Sequence, residues 1–134
     1  DGILAEGEEL LADMNIGVMH PELVKLIGKL RYRASYGQNA LAHTLEVAHL
    51  AGVMASEMGG DAIVAKRAGL LHDFGKALTH DFDGSHVDLG AEVCSRYGEG
   101  DVVINAIYAH HGHREIESVE CGAVCTADAL SAAR

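Results

Sequence analysis

His72 and Asp73 stand side by side at the end of an apolar run, Ala68-Gly69-Leu70-Leu71, in the stretch LLHDFGKALTH at residues 70–80. An ionised carboxylate in such a setting is costly, on the order of several kcal/mol, unless something positive holds it. The next basic side chain along the sequence is Lys76. The pair is therefore either exposed at a helix end or bound to a cation. The other histidines are spread along the chain in a telling order. His43 lies in NALAHTLEVAHLAG, His86 in DGSHVDLG, and His110-His111 in AIYAHHGHRE, while Asp128 sits among alanines in AVCTADALSAA. Imidazole and carboxylate together suit divalent transition metals such as manganese, iron, nickel or zinc. A bridging carboxylate can hold two such ions ~3.5–4 Å apart, the arrangement that activates water against a phosphoryl centre.

Each of these residues also has a structural reading. His43 alone would fit a half-buried, satisfied histidine. His72 could cap helix carbonyls, where the dipole favours it. Asp73 at the same end is disfavoured by that dipole, so its structural reading is the weakest. His86 and the His110-His111 pair could be surface groups, and Asp128 could pair with Arg67, Arg114 or Arg134. Taken singly these alternatives hold their own; taken jointly they require six coincidences in one order.

The elements that must position these groups read as helices, with no convincing period-two strand. A first helix is expected over 2–14, stopped near Gly17. His20-Pro21-Glu22 starts a second, running to about Arg33, with proline in the first turn where it is tolerated. SYGQN (35–39) reads as a turn. A long helix follows from about Ala40 to Met58, ended by Gly59-Gly60. Asp61 caps a helix over 62–75, residues 76–85 form a polar loop, and Ser85 or His86 starts a helix to Tyr97. Asp101 caps another through about His111, and Ser118 caps the last, to Ala133. The expected fold class is an all-α helical bundle in which most candidate ligands fall near helix ends, where separate elements converge.

With 134 residues, 49% of them hydrophobic, one proline and no tryptophan, the chain suits a single domain with one core. The formal charge of -10 argues against a surface that coats nucleic acid, but not against nucleic acid at a site whose ions bring positive charge. The basic run KLIGKLRYR, with Lys25, Lys29, Arg31 and Arg33 around Tyr32, is the one strip on which RNA could ride, Tyr32 stacking on a base. An equally good reading is a solvated helix face. Cys94, Cys121 and Cys125 suit a reducing compartment and read as core residues, since no second cysteine cluster completes a zinc site. No apolar run approaches the ~20 residues of a membrane span. The ends DGILAEGEELL and DALSAAR look mid-helix, which suggests a domain cut from a longer chain.

The order His43, His72-Asp73, Asp128 resembles the HD-domain superfamily of metal-dependent phosphohydrolases, named after that adjacent pair. His86 and His110-His111 resemble its subgroup with two metals. Over nearly the whole chain, HPELVKLIGKLRYRASYGQN, AKRAGLLHDFGKA, GSHVDLGAE and ADALSAAR look like the HD domain of the ribonuclease Y family of bacterial endoribonucleases. That resemblance implies a helical HD fold that cleaves single-stranded RNA in mRNA turnover, leaving 5′-phosphate ends, with one or two divalent ions (Mn, Fe, Mg, Zn or Ni). Residue by residue, it implies His43, His72, Asp73 and Asp128 as ligands of a first metal. Asp73 would bridge to a second, held by His86 and His110, with His111 as ligand or outer-shell partner. Lys76 would sit near the substrate phosphate. Phe74 stands where such motifs often carry isoleucine, a packing change. His113 stands where an acidic residue is expected after His110-His111-Gly112, which leaves it as an extra ligand or none. His20, His49 and His80 have no place in the set, and His49 reads as structural.

The resemblance further implies that residues 1–134 are a single HD domain of a longer protein. In that protein a membrane anchor, a coiled coil and a KH domain precede the HD domain, which acts on the cytoplasmic side; the sequence admits a homodimer and leaves the oligomeric state open. Two other functions stay open on the residues themselves: a nucleotide or cyclic-nucleotide phosphohydrolase, marked by a pocket enclosing one nucleotide, and a non-catalytic metal-binding or dimerisation module, marked by a metal-free fold without turnover.

Overall fold

The computed structural model describes residues 2–30, 38–78 and 85–133. Among the described residues there are eight helices and no strand: α1 (Gly2–Met14), α2 (Pro21–Lys29), α3 (Gln38–Glu57), α4 (Ala62–Leu71), α5 (Gly75–Leu78), α6 (His86–Arg96), α7 (Asp101–Ala109) and α8 (Val119–Ala132). The all-α class is as expected. None of these helices is long and apolar enough to cross a membrane.

Local chemistry sets most of the boundaries. The His20 Nδ1 caps α2 by accepting from the Glu22 N–H, with Pro21 in the first turn. Asp61 accepts from the N–H groups of Ile63 and Val64, and Ser118 from that of Cys121. Gly59 ends α3's turn with φ +81°, a left-handed conformation that costs glycine little.

Four boundaries differ from expectation. Gln38 and Asn39 open α3 rather than closing a turn, since first-turn N–H groups need no helical partner and glutamine is a good helix former. α2 ends at Lys29 with Leu30 as its cap; Arg31, Tyr32 and Arg33 lie outside the described residues. Gly100, not Asp101, is the cap of α7, and Asp101 lies in the first turn, where a carboxylate suits the dipole. The expected helix over 62–75 breaks after Leu71 and resumes as α5, so the loop expected from residue 76 begins as helix. The break is a tight turn of three-residue hydrogen bonds, Phe74 N–H to Leu71 O and Lys76 N–H to Asp73 O, which drives the Phe74 ring into the core at 2% exposure.

The core is built around α3 and α4, with α8 against both and α7 against α4 and α8; α1 pairs with α2, and α6 packs on α5 and α7. Leu23, Ile27, Val47, Leu70, Leu71, Ile107 and Val124 fill it. Ala48, Ala51, Ala55, Ala65 and Ala68 are fully buried, so α3 and α4 come close: a Cβ on Gly69 would stand 2.7 Å from Ala48 Cα. Cys94 and Cys121 are buried free thiols, and burial pushes Cys94 up to about 12. Arg67 grips the Glu99 carboxylate through Nε (2.6 Å) and Nη2 (2.8 Å) and donates from Nη1 to the Val18 carbonyl (2.7 Å). It is therefore committed away from Asp128. The Arg114 guanidinium covers the Tyr108 ring at 4.1 Å.

Candidate metal centre

The turn between α4 and α5 carries His72 and Asp73 to the point where α3, α6, α7 and α8 present their own polar residues. α3 supplies His43, the start of α6 His86, the end of α7 His110 and His111, and α8 Asp128. Two groups form. One ligand atom from each of His43, His72 and Asp128 lies within 4.8 Å of the others, and the same holds for Asp73, His86 and His111. His43 Nε2 is 2.9 Å and His72 Nε2 3.4 Å from Asp128 Oδ1. Asp73 Oδ1 is 3.5 Å from His110 Nε2 and 3.9 Å from His86 Nε2, and Lys76 Nζ approaches Asp73 Oδ2 at 3.0 Å. The His110 ring links the two groups, its centroid 4.9 Å from that of His72 and 4.2 Å from that of His111.

The proton positions follow from the partners on the far side of the rings. His72 Nδ1 is 2.6 Å from the Gly69 carbonyl and His110 Nδ1 is 3.1 Å from the Ala106 carbonyl. A carbonyl only accepts, so each Nδ1 carries the proton and donates it. With those protons spent, the Nε2 atoms of His72 and His110 are buried without a hydrogen-bond partner, and so is Asp73 Oδ1. Three orphaned, electron-rich atoms in two adjoining groups carry a substantial penalty unless a cation completes them. His86 Nε2 and His111 Nε2 are only 2.8 Å apart, so in the absence of an ion one of them must donate to the other.

Where no ion is bound, protons on these rings serve in its place. Burial would raise the Asp73 carboxyl, but His110, His72 and Lys76 outweigh it and hold Asp73 down to about 2. Asp128 is held below the usual carboxylate range by His72 and then His43, against its burial. His110 is raised: Asp73 and the Ala106 carbonyl overcome the burial that disfavours its charged form. His86 and His111 are lowered, by burial first and then by neighbouring cationic groups. The donor set, imidazoles with two ionised carboxylates, fits one or two divalent transition ions.

His43, His72, Asp73, His86, His110, His111 and Asp128 all lie in this cluster; Asp73 groups with His86 and His111 rather than with His43, and His110 stands against Asp73 in neither group of three. His113 is exposed, its ring 5.9 Å from that of His111. His20 is a helix cap stacked on Tyr97, His49 is exposed, and His80 lies outside the described residues. Three participants escaped the sequence reading. Glu46 and Ser131 sit one turn from His43 and Asp128, a spacing of three that could have drawn notice. Gly75, directly after the turn, packs on the His86 backbone.

The HD-domain family matches residues 40–133. Among curated proteins, the chain is 82% identical to the ribonuclease Y of Sulfurimonas denitrificans, 72% to that of a Nitratiruptor species and 73% to that of Campylobacter fetus, in each case over 98% of the chain. The chain spans about a quarter of the length of these relatives, with 25%, 25% and 26% covered. No solved structure matches it.

Proposed function

The chain belongs to the HD-domain family, and on that footing we propose that it is the hydrolytic domain of a ribonuclease Y-type endoribonuclease, cleaving phosphodiester bonds of single-stranded RNA in mRNA turnover. The observation that carries this reading is that His72 Nε2, His110 Nε2 and Asp73 Oδ1 are buried and unsatisfied within two adjoining groups of ligand side chains. In this proposal His43, His72, Asp73 and Asp128 would hold one ion, and Asp73 with His86 and His110 would hold a second, with His111 as a further ligand or a partner behind them. When bound, divalent ions (Mn, Fe, Mg, Zn or Ni) polarise the phosphoryl group and lower the pKa of an attacking water. The protein's own groups prepare that site. Nδ1 donation to backbone carbonyls turns the His72 and His110 lone pairs inward. Lys76 adds to His110 and His72 in keeping Asp73 ionised and, with 56% of its side chain open to solvent, sets a positive charge beside the phosphate of an incoming strand.

The proposal extends, through the family resemblance alone, to a homodimer and to membrane attachment at the cytoplasmic face by segments outside this chain. Its test is metal analysis of protein purified without chelator, paired with cleavage of a single-stranded RNA and analysis of the product ends. Bound divalent metal with chelator-sensitive cleavage to 5′-phosphate ends supports it. Metal-bound protein that spares RNA but hydrolyses a mononucleotide or cyclic nucleotide, or metal-free protein without turnover, overturns it.

A further inference from the structure

α3 and α8 face each other with two polar residues apiece, each pair one turn apart: His43 and Glu46 on α3, Asp128 and Ser131 on α8. Ser131 Oγ donates its one proton to Glu46 Oε1 at 2.6 Å. At its 2.8 Å contact with His43 Nδ1 the same oxygen can therefore only accept. The His43 ring is thus protonated at Nδ1, and Nε2 faces Asp128 Oδ1 at 2.9 Å, a contact that needs either a proton on Nε2 or an ion shared by the two atoms. His72 and His110 reach the same state by donating to main-chain carbonyls. For His43 the job falls to side chains: the Ser131 hydroxyl of α8 stands 2.8 Å from Nδ1.

We infer that Glu46 and Ser131 are positioning residues: a carboxylate–hydroxyl–imidazole relay that locks His43 in its Nδ1–H form and aims Nε2 as a metal ligand. The inference rests on the metal reading of the site and adds to it two residues that touch no ligand position. An ionised carboxylate behind the hydroxyl polarises it toward the ring and strengthens the imidazole as a donor of electrons. Outer partners of metal-bound histidines are worth about 10–100-fold in metal affinity.

The test uses the chain as it stands, with Mn²⁺ as the probe ion for affinity and the ring nitrogens of His43 observed by ¹⁵N NMR in protein loaded with diamagnetic Zn²⁺. Ser131→Ala is expected to weaken Mn²⁺ binding about tenfold or more and to replace the single Nδ1–H, Nε2-bound state of the His43 ring by a mixture. Ser131→Thr, which keeps the hydroxyl, restores both. Glu46→Gln, whose amide oxygen still accepts but carries no charge, gives a smaller weakening and serves if Ser131→Ala does not fold. A thermal melt separates a packing loss, which lowers stability without changing the tautomer. Mn²⁺ affinity within twofold of the parent together with an unchanged Nδ1–H ring in Ser131→Ala overturns the relay, as does a Ser131→Thr variant that recovers neither. Neither readout involves RNA, so failure of the ribonuclease reading leaves the result interpretable.

Discussion

Replacing Gly75 by alanine adds a methyl group where the first turn of α6 already lies. Its Cβ would overlap the His86 carbonyl oxygen, stand 2.5 Å from the His86 carbonyl carbon and 3.1 Å from the Gly90 nitrogen. Carbon atoms in contact settle at about 3.5–4.0 Å, so the start of α6 must retreat by about 1 Å or more. These neighbours are backbone, not the ends of flexible side chains, so the strain cannot be relieved by a rotamer change. Overpacking of this kind costs about 1–3 kcal/mol. Alanine's better helix propensity returns at most about 1 kcal/mol. His86 moves with α6, while Asp73 stays on the turn after α4, and metal–ligand distances tolerate only about 0.2 Å. Mn²⁺ titration of Gly75→Ala should therefore show more than tenfold weaker binding at the Asp73–His86–His111 group, with the His43–His72–Asp128 group unaffected. Urea denaturation of the metal-free variant should show the stability loss. Binding at both groups like the parent's, together with an unchanged unfolding midpoint, would refute the reasoning that this glycine seats α6.

Asp73→Ala is expected to abolish RNA turnover and lower bound metal, checked by elemental analysis beside a cleavage assay; activity with metal content unchanged rules out the assigned site. Asp73 also sets a pH dependence. Its folded carboxyl lies at about 2 against an ordinary 3.8, so its stabilising contribution is full above pH ~4 and lost as pH falls toward 2, roughly 2 kcal/mol in all. Denaturation curves of metal-free parent and Asp73→Asn should converge across that window, and parallel curves would contradict it. Arg67→Ala strands the Glu99 side chain, 1% exposed, without its partner and should cost about 3–5 kcal/mol in urea denaturation. Single-stranded RNA should bind weakly, with a log–log salt slope near -0.7 per phosphate contacted; tight, steeply salt-dependent binding that survives a chelator would assign recognition to the surface instead.

The helices were legible in the sequence because the signals that start and stop them are local. Asp61, Ser118 and His20-Pro21 cap where their side chains reach the next N–H groups, and the glycine pair at 59–60 ends α3 through its own backbone freedom. The break after Leu71 was not legible, since apolar periodicity continues through Leu71 and Phe74. What turns the chain there is burial of the Phe74 ring, a tertiary gain. The candidate ligands were legible as a set, from residue type, order and family resemblance.

Only the packed structure decided how they group. His43 meets Asp128 and Ser131 across 85 and 88 residues because α8 lies along α3, a juxtaposition no local spacing encodes. The nearness of His86 to His111, the grouping of Asp73 with them, and the proton on each Nδ1 depend likewise on which carbonyl or hydroxyl a neighbouring element brings up. A helix is a property of consecutive residues, and its 3.6-residue period can be read in one dimension. A metal centre is a meeting of side chains from five elements, and its geometry exists only once their backbones have closed on one another.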